Sequence, residues 1–89
     1  MSSIFIRHRV ADFDAWKAAF DEHGAARREH GLVDTGLLRD EGDDNMVTVL
    51  LSTDDTGRAR EFFESDSLRQ AMDGAGVVSQ PEMWIANNA

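Results

Sequence analysis

A strand that is apolar on both faces has to be covered on both, and residues 45–52, NMVTVLLS, read as such a strand. Val47, Val49 and Leu51 alternate to one side, and Met46 and Leu50 to the other. TGLLRD (35–40) precedes it across EGDD, a polar, Gly-containing connection that predicts a β-hairpin. Near the N-terminus, IFIRHRV (4–10) also alternates, with Ile4, Ile6, His8 and Val10 on one face and Phe5, Arg7 and Arg9 on the other. It reads as a first strand with an aromatic residue opposite its aliphatic face.

Between these strands the apolar period changes. In ADFDAWKAAFDEHGAARREHG, Phe13, Trp16, Ala19 and Phe20 recur at three- and four-residue spacing, so one helix with an apolar stripe is expected. Asp12 suits its N-cap, and Gly31 suits the left-handed residue that ends it. After the hairpin, Asp54 or Asp55 can cap a helix carrying Ala59, Phe62 and Phe63. Ser65 or Asp66 can restart it with Leu68, Ala71 and Met72, and Gly74 and Gly76 end it. Pro81 then opens PEMWIA, where a missing amide donor suits a strand start or a sheet edge.

The resulting order is βαββαβ in a single domain spanning 1–89, the ferredoxin-like α+β plan, with a four-stranded antiparallel sheet and both helices on one face. The second apolar face of the sheet then needs a partner, which predicts a homodimer. A chain of 89 residues has room for one modest core, and it has no cysteine for a disulfide or thiolate metal site. With 17 acidic and 9 basic side chains, the net charge of -8 disfavours binding to nucleic acid or to an anionic membrane. MSSIFIRHRV has only a short apolar run broken by Arg7, His8 and Arg9, which suits neither a signal peptide nor a membrane span and leads to an expected cytoplasmic location.

VADFDAWKAAFDEHGAARREHG, LLRDEGDDNMVTVLL and AREFFESDSLRQAMDGAGV together resemble the dimeric α+β barrel superfamily, in particular small bacterial proteins described as cyclase-like or antibiotic-biosynthesis-monooxygenase-like. The resemblance covers nearly the whole chain. It implies a pocket between the helices and the sheet for a small, flat, mostly apolar ligand, aromatic or polyketide-like, and cofactor-independent cyclase, isomerase or monooxygenase chemistry. The chain departs from better-known relatives in having no tyrosine and no asparagine in the first strand.

The residues themselves mark one place where polar groups interrupt the apolar pattern. At about 100° per residue, with Trp16 at zero, Phe20 falls near +40°, His23 near -20°, Arg27 near +20° and His30 near -40°. A stripe built of Phe13, Trp16, Ala19 and Phe20 therefore continues into His and Arg, and an unpaired polar group facing a core costs about 1–3 kcal/mol. This assigns His23 as a candidate general acid or base and Arg27 as an anion stabiliser, with His8, Trp16, Phe20 and Gly24 as candidate substrate contacts. Glycine in a helix interior costs about 1 kcal/mol, which makes Gly24 a place where a ligand or a partner backbone could come close.

The competing expectation is a non-catalytic ligand-binding or structural homodimer in which the same groups only order water or a ligand. His30 fits the negative end of the helix dipole. No metal site is expected: RDEGDDN lacks the spacing of a calcium loop, and residues seven apart on a helix lie about 10 Å apart along its axis, too far to share one ion.

Overall fold

The computed structural model describes Met1–Ala89. Its elements are β1 (Ser2–Arg9), α1 (Phe13–Glu22), α2 (Gly24–Glu29), β2 (Val33–Asp40), β3 (Asp43–Thr53), α3 (Thr56–Phe63), α4 (Asp66–Gly74) and β4 (Glu82–Asn87). The strands form one sheet in the order β2-β3-β1-β4, every neighbouring pair antiparallel. This is the ferredoxin-like α+β fold expected from the sequence, with the second helical segment in the two pieces expected and the first, expected as one helix, also divided in two.

The helix starts follow from side chains that satisfy free backbone amides. Asp12 accepts from the Ala15 amide, Asp55 from the Arg58 amide and Ser65 from the Leu68 amide. Gly31 ends α2 with φ +77°, and Gly42 turns the β2-β3 hairpin with φ +81°.

The first helical segment is not continuous. His23, with φ -87° and ψ 7°, lies outside α-helical geometry and separates α1 from α2. Its amide still bonds to the Ala19 carbonyl, and its own carbonyl accepts from Arg27, so the chain changes direction with little loss of hydrogen bonding. The low helix propensity of Gly24, immediately after, fits a break here.

The two faces of the sheet differ. Ile4, Val47, Val49 and Leu51 point to the helices and are buried, together with Trp16, Ala59 and Phe62. On the opposite face Phe5 pairs with Leu50 on one side and Trp84 on the other. Phe5 is 36% exposed, Trp84 50% and Leu38 54%, so the double-sided apolar character of β1 and β3 meets protein on one side only.

Strand β2 contains a bulge. Asp34 is opposite Leu51 and Gly36 is opposite Leu50, leaving Thr35 as the extra residue. A Cβ on Gly36 would come within 2.9 Å of the Leu50 side chain, so glycine lets the bulged strand lie close to β3.

Candidate functional site

Between the helices and the sheet lies a cavity of about 250 Å³, lined by 19 residues of which 13 are hydrophobic. Its walls come from β1, β3, all four helices, the segment leading into β4, and β4 itself through Met83. Trp16 and Phe20 form a flat wall, their rings stacked at 4.9 Å between centroids. Phe62, Phe63, Leu68 and Met72 line it from α3 and α4, and Ile6 and Val49 from the sheet.

Strand alternation directs His8 to the helix side, beside Ile4 and Ile6. It is 4% exposed, and Trp16 meets it edge to face at 5.5 Å. Its Nδ1 is buried without a hydrogen-bond partner, an arrangement that costs free energy in an empty cavity. Burial pushes the imidazole pKa below its usual value, outweighing its own backbone, which raises it. His8 is therefore held neutral at pH 7.

His23 also lines the cavity, so the two histidines border one space. It is exposed, not part of a packed apolar stripe. The helical angles that put it on the stripe assume an unbroken helix, and the break occurs at His23 itself.

Arg27 lies in the cavity wall and is 7% exposed. Its Nε and Nη2 donate to the two carboxylate oxygens of Asp34 at 2.8 and 3.0 Å, and Nη1 donates to the Phe20 carbonyl at 2.8 Å. The guanidinium carbon also stands 3.6 Å from the centre of the Phe20 ring. A guanidinium has five N–H groups. With three engaged, two remain, and the charge is already balanced by a fork-to-fork carboxylate pair. Arg27, the candidate anion stabiliser, thus also fastens α2 to β2 and to the end of α1.

Gly24 is the sequence's candidate for close approach of a ligand or a partner backbone. It is absent from the cavity wall, and a Cβ there would meet the Arg28 and Arg27 guanidinium groups at 3.1 and 3.7 Å. Its smallness makes room for arginine side chains of its own helix. His30 bonds through Nδ1 to the Ala26 carbonyl at 2.7 Å and packs on Phe62, 4.5 Å between ring centres. No three His, Cys, Asp or Glu side chains gather as a metal site.

Several lining residues were not singled out from the sequence. Phe62 and Phe63 read as core aromatics, while Arg69, Gln80 and Pro81 carried no local signal. The stripe of α4, with Leu68, Ala71, Met72 and Ala75 at three- and four-residue spacing, faces the cavity and places Arg69 on its flank.

This fold is shared with solved structures across nearly their whole length. A cofactor-independent oxygenase, SnoaB from Streptomyces nogalater, superposes with a TM-score of 0.72 at 17% identity, covering 99% of this chain and 94% of that one. A protein from Bordetella bronchiseptica, provisionally assigned as an antibiotic biosynthesis monooxygenase, gives a TM-score of 0.79 at 11% identity over 99% and 96% of the two chains. An antibiotic biosynthesis monooxygenase structure gives 0.74 at 10% identity over 100% and 99%. At these identities the likeness is one of fold. No protein-family model matches the chain, and no curated protein matches it by sequence.

Proposed function

We propose that the chain is a small cofactor-independent enzyme acting on an aromatic or polyketide-like molecule held between α1 and the sheet. The observation that carries this reading is the apolar cavity with a stacked Trp16–Phe20 wall and a buried, unpartnered imidazole, His8, in its lining. Similarity of fold to monooxygenase structures, SnoaB among them, supports the same reading.

In the proposed chemistry the exposed imidazole of His23 removes a proton from the bound substrate and returns it later. The two uncommitted N–H groups of Arg27 stabilise the oxyanion that results. His8, neutral and buried, hydrogen bonds a substrate oxygen, and Trp16 and Phe20 hold the ring plane. A carbanion or enolate formed this way leads to cyclisation, to isomerisation or, with dioxygen as co-reactant, to oxygenation.

The open sheet face supports a homodimer as the working form. Phe5, Leu38 and Trp84 are exposed there, and only 14 of 89 residues are buried within the single chain. The second reading, a non-catalytic ligand-binding homodimer, is favoured by the pairing of Arg27 with Asp34, which leaves no unbalanced cation at that position.

The test is turnover of a panel of reduced aromatic ketones and phenols under air, followed by oxygen uptake and by mass spectrometry of products. Replacing His23 by Gln is expected to lower kcat at least about 100-fold, the scale of a lost general acid–base, with melting and oligomeric state unchanged. Unchanged turnover in that variant would remove the catalytic role and leave the binding reading.

A further inference from the structure

Acidic side chains are absent from the cavity wall although they outnumber basic ones 17 to 9 in the chain. All the ionisable groups that line it are basic: His8, His23, Arg27 and Arg69. With His8 neutral and Arg27 paired to Asp34, the uncompensated arginine left in the wall is Arg69, and a cation beside apolar walls attracts a ligand of opposite sign.

Most of the basic side chains in the molecule are already occupied. Arg7, Arg9, Lys17 and Arg27 pair with Asp40, Asp43, Asp21 and Asp34. Arg58 donates to the Glu29 carbonyl, and Arg39 lies over the Phe13 ring. The guanidinium of Arg69 has no hydrogen bond, no ion pair and no aromatic face, and unlike Arg28 and Arg60 it borders the cavity. Arg27 is neutralised by Asp34, so Arg69 is the arginine in the wall with its charge unspent.

We infer that the cavity selects an apolar acid, an aromatic ring system bearing a carboxylate, and that Arg69 on α4 holds the carboxylate while the ring lies against Trp16 and Phe20. This rests on the reading of the cavity as a ligand site and adds the charge of the ligand and the residue that recognises it. Arg69 is a binding residue, separate from the proton-transfer role proposed for His23. The exposure of its side chain leaves room for an approaching carboxylate, which its guanidinium can hold by charge-assisted hydrogen bonds.

The experiment compares 2-naphthoate with 2-naphthamide, similar in shape and differing in charge, by isothermal titration calorimetry with the full chain. The acid is expected to bind about ten-fold more tightly than the amide, equivalent to roughly 1.4 kcal/mol. In Arg69→Gln the preference falls to about one, through loss of acid affinity alone, while Arg69→Lys keeps part of it. Equal affinities in the unmodified protein, or equal weakening of both probes by Arg69→Gln, would overturn the inference and leave the cavity a ligand site. Binding of neither probe would overturn the inference together with the aromatic-ligand reading beneath it.

Discussion

The sheet has two apolar faces that end differently. Toward the helices, Ile4, Val47 and Leu51 are no more than 1% exposed; away from them, Trp84 is 50% exposed. The same alternation that produces a core on one side produces an open aromatic patch on the other. Hydrophobicity alone therefore does not distinguish packing within a chain from packing between chains, whereas what each face meets does.

Substitutions of the two tryptophans address that comparison directly. Trp16→Ala, on the covered side, is expected to cost about 3–5 kcal/mol in urea denaturation, through lost burial and an enlarged cavity. A cost under about 1 kcal/mol would mean that Trp16 is cavity wall only and contributes little to the core. Asp34→Asn should come next, at about 1–3 kcal/mol, because it leaves the Arg27 guanidinium buried without its counter-charge. The half-exposed position of Asp34 keeps the cost below that of a fully buried pair.

Trp84→Asp addresses the open side. It should change the stability of the isolated chain by less than about 1 kcal/mol while converting the proposed dimer to a monomer in light scattering. Retention of the dimer would move the interface away from Phe5 and Trp84.

The smallest expected effect is a pH dependence from His8. Its folded-state pKa lies below the unfolded value, so the unfolded chain takes up the proton more readily. Stability from this residue is full above the unfolded pKa of about 6.5 and falls as the pH drops through it toward the folded pKa. His8→Gln should flatten that part of the profile in urea melts between about pH 5 and 7. An unchanged slope would show that His8 does not contribute to it.

The order of elements is legible in the sequence because each helix and strand carries its own period, and helices begin where Asp12, Asp55 and Ser65 cap them. Trp16, Phe20 and His8 are legible as neighbours for the same reason: stripe and alternation direct them to one side. Arg69 and Gln80 join the site through tertiary packing of α4 and the chain before β4, which no local pattern encodes.

Asp34 illustrates a different limit. Counting back by alternation from Leu37, which faces the helices opposite Val49, would put Asp34 on the open face. The bulge at Thr35 reverses that parity and brings Asp34 under Arg27. One extra residue in a strand thus decides whether the arginine is an available cation or half of a clamp. The kink at His23 acts similarly, since it changes the exposure of a residue whose helical angle is otherwise favourable.

The pairing of Arg27 with Asp34 also limits how such a sequence can drift. Loss of the aspartate alone strands a buried charge, and loss of the arginine alone removes the contacts to Phe20 and its carbonyl. A domain of this size has a total stability on the order of 5–10 kcal/mol, so either single step uses a substantial share of it. The two positions, seven residues apart, should consequently change together among descendants of this chain, and an insertion or deletion that removes the bulge at Thr35 should be accompanied by loss of both.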